Sequence, residues 1–141
     1  MAAYVGIMTP RFIKESQEEP FVLYLNFFKP HVPFYSPSDD YCDWTKMPLP
    51  ANYVDFPGED FPYKNRALSL MYQTMYKTYE DWKRLISRYY GQITMADRQI
   101  GKIMQAIEQS GQLDKTVIIY TSDHGDMMGS HKLSAKGVMY E

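Results

Sequence analysis

The chain has 141 residues, 45% of them hydrophobic and 23% charged, the balance of one globular unit with a core of its own and not of a disordered tail. Seventeen acids against fifteen Lys and Arg leave a formal charge of −2 with no block of like charge, which predicts no nucleic-acid partner. Cys42 is the single cysteine, so an intrachain disulfide is excluded, and the opening run Met1 to Arg11 is too short in apolar residues for a signal peptide or a membrane segment.

In chain order, Thr9-Pro10 reads as a helix N-cap followed by proline at the first helical position, opening a short helix through Phe12 and Ile13 that Pro20 ends. Phe21-Val22-Leu23-Tyr24-Leu25-Asn26-Phe27-Phe28 is continuously apolar and aromatic, the pattern of a strand buried on both faces of a parallel sheet. Residues 29–64 form a long Pro- and aromatic-rich loop: Pro30, Pro33, Pro37, Pro48, Pro50, Pro57 and Pro62 exclude long regular elements. Phe34, Tyr35, Tyr41, Trp44, Tyr53 and Phe56, interleaved with them, argue that the loop is ordered.

Between Asn65 and Ser110 the sequence predicts a long helix, with Ile86, Ile93, Ile100 and Ile107 on one apolar stripe. Gly91 marks a kink or a close contact within it, and Ser110-Gly111 supplies the stop. Thr116-Val117-Ile118-Ile119-Tyr120-Thr121 reads as a second buried strand. Strand, helix and strand make a crossover unit, so the expected class is α/β.

In open α/β sheets ligands bind beyond the carboxyl ends of strands, and both polar clusters of the sequence fall there. After the first expected strand comes Lys29-Pro30-His31-Val32-Pro33-Phe34. After the second comes Ser122-Asp123-His124-Gly125-Asp126, followed by Gly129-Ser130-His131-Lys132 and Ala135-Lys136-Gly137. All three histidines lie in these stretches. Asp123 and His124 offer an oxygen and a nitrogen ligand side by side, although the same triplet serves equally as a turn or helix cap. Two ligands also cannot close a coordination sphere. Lys29, His31 and Lys136 suit a tetrahedral oxyanion, which needs positive donors from several loops; the alternative is a pair of solvated lysines and a histidine bonded to a carbonyl. Cys42 has no base or cation beside it to lower its pKa, which argues against a nucleophile.

Four pieces in this order resemble the sulfatases of the alkaline-phosphatase superfamily: the strand-like run leading into Lys29–Phe34, the segment Tyr89-Tyr90-Gly91-Gln92-Ile93-Thr94-Met95-Ala96-Asp97, the run ending in Ser122–Asp126, and Ala135-Lys136-Gly137-Val138-Met139-Tyr140-Glu141. The resemblance implies an alkaline-phosphatase-like mixed sheet flanked by helices, a divalent cation, most often Ca2+, on Asp123 and His124, and a sulfate ester substrate. By it, His31 and Lys136 are catalytic, contacting the sulfate, with His31 protonating the departing alkoxide. Lys29 is a second cation near the sulfate and His131 a further substrate contact. Sulfatases attack sulfur with a formylglycine made within a Cys/Ser-x-Pro/Ala-x-Arg motif. No such motif occurs here, nor does the family's first pair of metal-binding aspartates. The resemblance therefore implies residues 1–141 to be an internal fragment of one catalytic domain, inactive alone. Phosphodiesterases and phosphonate monoester hydrolases of the same superfamily, and a non-catalytic binding module, are the rival readings.

Overall fold

The computed structural model describes residues 2–16, 19–55, 58–138 and 140. Phe56 and Pro57 of the Pro-rich segment, and Met139 and Glu141 of the final motif, lie outside the described residues. Among the described residues three helices carry the fold: α1 over Ala2–Glu15, α2 over Tyr63–Met75 and α3 over Tyr79–Gln109, with single 3-10 turns at Trp44–Lys46, Leu113–Lys115 and Ser130–Lys132.

The expectation of an α/β mixed sheet is overturned: among the described residues there is no strand. The physical reason is that strand-type composition reports how well side chains suit a pleated, half-buried surface, whereas a strand exists only when another segment completes its ladder. Neither Phe21–Phe28 nor Thr116–Thr121 has such a partner. Val22 is fully exposed and Ile119 is 84% exposed, so neither segment is buried on two faces. Phe21, Leu25 and Phe27 instead pack against Ile13 of α1 and Ile103, Ala106 and Ile107 of α3.

The helix boundaries differ as well. Helix α1 begins seven residues before Thr9 and contains Pro10 in its interior, where the missing N–H leaves the Gly6 carbonyl without its helical partner. The long expected helix is two, broken at Tyr76–Thr78. Thr78 and Asp81 form a reciprocal cap: the Asp81 N–H donates to Thr78 Oγ1 (3.1 Å) and the Thr78 N–H to Asp81 Oδ2 (2.9 Å), satisfying two orphan donors at the start of α3. At its other end Gly111 takes a left-handed φ of 69°, the conformation that glycine allows after a helix.

Helix α3 is the spine, and the core is two clusters strung along it. Its C-terminal half packs with α1, and its N-terminal half carries Trp82 and Leu85 into a cluster with Phe34 and Tyr53, joined by Leu49, Tyr72, Tyr76, Tyr89 and Met128. The Pro-rich segment is laid along the same helix by cations over rings: Arg84 over Trp44 (3.8 Å), Arg98 over Tyr41 (4.5 Å) and Arg88 over Tyr35 (5.0 Å). Two hydrogen bonds add to these contacts, Ser87 Oγ to the Cys42 carbonyl (2.6 Å) and Gln92 Nε2 to the Pro33 carbonyl (3.2 Å). Gly91 sits where this segment comes closest, since a Cβ there would collide with the Ser38 carbonyl oxygen.

Helix propensity alone makes Gly91→Ala stabilising by roughly 1 kcal/mol. The collision with backbone should reverse that sign, for a net loss of about 1–2 kcal/mol in urea denaturation. A stabilised alanine variant would show that Ser38 yields freely.

Candidate functional site

The first polar cluster folds back on itself. Lys29 Nζ donates to the Pro33 carbonyl at 2.7 Å and to the His31 carbonyl at 3.4 Å, so the lysine closes its own turn. The His31 ring leans on Phe28 with centroids 4.8 Å apart, and its Nδ1 meets the Val32 carbonyl at 2.8 Å. A carbonyl can only accept, so Nδ1 carries the proton and Nε2 is the nitrogen left for a ligand. Phe34, at the end of this turn, is buried and meets Tyr89 of α3 edge-on at 5.7 Å.

The second cluster brings Asp123 and His124 together. Asp123 Oδ1 accepts from the His124 N–H (2.9 Å), and its Oδ2 lies 3.4 Å from His124 Nε2. His124 Nδ1 donates to the Gly125 carbonyl (2.8 Å), the arrangement that orients a metal-ligating imidazole and leaves Nε2 with its lone pair. An oxygen and a nitrogen 3.4 Å apart both reach one ion at arms of about 2.4 Å, an ordinary calcium–oxygen length. The pair therefore suits two positions of a cation's shell. Among the described residues no group of three His, Cys, Asp or Glu forms around it.

Asp126 joins this cluster to Lys136. Its Oδ1 accepts from the Met128 N–H (3.1 Å) and from the Ala135 N–H (2.8 Å). Inside that closure the Met127 N–H donates to the Ala135 carbonyl (3.0 Å) and the Gly129 N–H to the Leu133 carbonyl (2.8 Å). The intervening residues thus form a pinched loop closed at Asp126 and Ala135, the residue before Lys136. Burial raises the Asp126 carboxyl above the ordinary carboxylate range; the two backbone donors oppose the rise, and so do the charges of Lys136 and His124. Lys136 itself is exposed.

His131, at the tip of the loop, is engaged within the protein. Its Nδ1 meets the Asp55 carbonyl at 3.0 Å, its Nε2 meets Asn52 Nδ2 at 3.2 Å, and its ring stacks on Tyr140 with centroids 4.1 Å apart. Ser69 of α2 adds a bond to the His131 carbonyl (3.2 Å). This histidine ties the tip of the loop to the Pro-rich segment.

The two clusters rest on one stretch of α3. Tyr89 touches Phe34 from the first, and its hydroxyl is raised by burial and then by the negative charge of Asp126 from the second. Met128 packs against the same cluster as Phe34. Among the described residues, however, no hydrogen bond or ion pair joins Lys29 or His31 to Asp123, His124 or Lys136.

Residues 4–141 match the family model described as Sulfatase. The chain belongs to the sulfatase family. It is 33% identical over 133 residues to an arylsulfatase of Clostridium perfringens, covering 91% of this chain and 27% of that protein. It is 33% identical over 138 residues to arylsulfatase K of Bos taurus, 87% of this chain and 25% of that protein. A multifunctional alkaline phosphatase superfamily protein of Trinickia caryophylli is 27% identical over 139 residues, 89% of this chain and 27% of its own length. This sulfatase chain thus spans about a quarter of the length of the curated relatives it matches.

Two residues on which the polar clusters rest escape a reading of motifs, Asp126 and Tyr89. The bond from Met128 to Asp126 has a local signal, because aspartate readily accepts from the backbone two residues on. The bond from Ala135, nine residues away, has none. Tyr89 reads as one more core aromatic.

Proposed function

We propose that this chain is the part of a sulfuric ester hydrolase that supplies two cation ligands, Asp123 and His124, and a sulfate-facing lysine, Lys136. The observation that supports the reading is the Asp126 carboxylate, two residues after His124, which accepts from the N–H of the residue before Lys136, so that the two motifs meet at one loop closure. A divalent cation on that pair, most simply Ca2+, would polarise an oxygen of the ester. Lys136 would balance charge gathering on the sulfate oxygens during cleavage, and His31, its Nδ1–H given to the Val32 carbonyl, would act as acid toward the departing alkoxide in its imidazolium form, through the second proton at Nε2. Lys29, occupied with carbonyls of its own turn, would supply positive field and not a direct contact. His131 would hold the loop and not the substrate. The nucleophile, a formylglycine in sulfatases by the resemblance, has no precursor motif among these 141 residues, so the chain alone would not turn over.

A second reading has one observation in its favour. The relative from Trinickia caryophylli is a multifunctional alkaline phosphatase superfamily protein, and a phosphodiester or phosphonate monoester would meet the same cation pair and lysine.

Calcium titration of the isotopically labelled chain tests the cation ligands. Resonances of Asp123 and His124 should move at millimolar calcium, with weak affinity because two ligands leave most of the shell to water. The response should vanish in Asp123→Ala. Shifts centred elsewhere, or none, would remove the cation from the proposal.

A further inference from the structure

We infer that Asp126 is a positioning residue, whose carboxylate holds the Met127–Ala135 loop closed so that Lys136 is presented beside Asp123 and His124; the role of Lys136 rests on the function proposed above. Three observations converge on Asp126. A single oxygen, Oδ1, accepts from both Met128 and Ala135. Both donors belong to non-glycine residues held at left-handed φ, 41° at Met128 and 63° at Ala135, a conformation that persists only where surrounding contacts impose it. Asp126 also lines one hollow with the apolar residues Pro48, Leu49, Pro50, Ile86, Tyr89 and Met128.

Ala135 is the residue immediately before Lys136, so its φ sets where the lysine's backbone leaves the loop. The exposed lysine has no ion pair among the described residues that could do this in its place. Positioning therefore passes through the backbone from Asp126 to Ala135 to Lys136.

Because both bonds end on one oxygen, Asp126→Asn keeps the acceptor and removes the charge, whereas Asp126→Ala removes both. The test compares the wild-type 141-residue chain with these variants by amide exchange at Ala135, backbone relaxation at 135–137 and titration with inorganic sulfate. Helix circular dichroism and Trp82 fluorescence serve as controls for folding. In the wild type, Ala135 should exchange slowly and Lys136 should be ordered. The asparagine variant should match it and bind sulfate at least as well, since a negative charge near the anion is gone. The alanine variant should free residues 135–137 and weaken the sulfate response of Lys136 on the order of tenfold, the size of one charge-assisted hydrogen bond.

An ordered Lys136 in the alanine variant would overturn the inference. So would loss of order in the asparagine variant, or a wild-type Ala135 amide exchanging as fast as open chain, which needs no variant at all. A freed loop with an unchanged sulfate response would also overturn it. Absence of a sulfate response in the wild type would instead strike the proposed function, while relaxation at 135–137 would still decide whether Asp126 holds the loop.

Discussion

Replacing Trp82 with alanine should cost about 3–5 kcal/mol of folding free energy, the usual toll of removing a large buried aromatic. Trp82 has no exposed surface. Its ring meets Tyr76 at 4.9 Å and Tyr53 at 5.9 Å, and its Nε1–H donates to the Tyr76 carbonyl (3.1 Å), in the break between α2 and α3. One truncation would open a cavity, leave that carbonyl without its donor and unseat Phe34 and Met128, through which both polar clusters rest on α3. Since domains of this size are stable by only about 5–15 kcal/mol, the loss should be visible as a large drop in the urea midpoint. Trp82→Phe should recover part of it by refilling the volume but not the hydrogen bond. A midpoint unchanged by the alanine would mean that this cluster is not a core.

The 141-residue chain should show no turnover of an activated aryl sulfate above background, even with millimolar calcium. A nucleophile, a closed metal shell and several sulfate donors act as a unit, and groups that act as a unit are grossly non-additive when one is lost. The proposed cation pair and lysine should therefore retain almost none of the rate and not a proportionate share. In a longer sulfatase carrying this segment, Lys136→Ala should lower kcat by about 10²–10³, the cost of one donor aimed at transition-state charge. KM should change much less if the lysine meets charge that develops only during cleavage. Turnover by the 141-residue chain that disappears in Asp123→Ala and Lys136→Ala would overturn the first expectation. An unchanged kcat in the longer enzyme would reduce Lys136 to a surface residue.

What the sequence determined by itself is local. The apolar stripe placed the long helix α3, Ser110-Gly111 its end, and the aromatics among the prolines the order of the loop. Thr78 and Asp81 were a legible cap, and the break between α2 and α3 could have been read from them. The order of motifs identified the family, because four short signals in sequence are specific without any knowledge of where they fold. The tertiary structure decided the rest. Phe21–Phe28 and Thr116–Thr121 have the composition of strands, but a ladder is a property of two segments, and the described residues supply neither with a partner. His131 is a substrate contact by the resemblance, but that Asn52 and Asp55, both more than seventy residues away in sequence, meet its two nitrogens is not legible along the chain. The link from Asp126 to Ala135 is likewise a contact between positions nine apart. No helical or strand period connects such positions, because their meeting depends on how the loop is pressed against Tyr89 and Pro50 and not on any pattern along the chain.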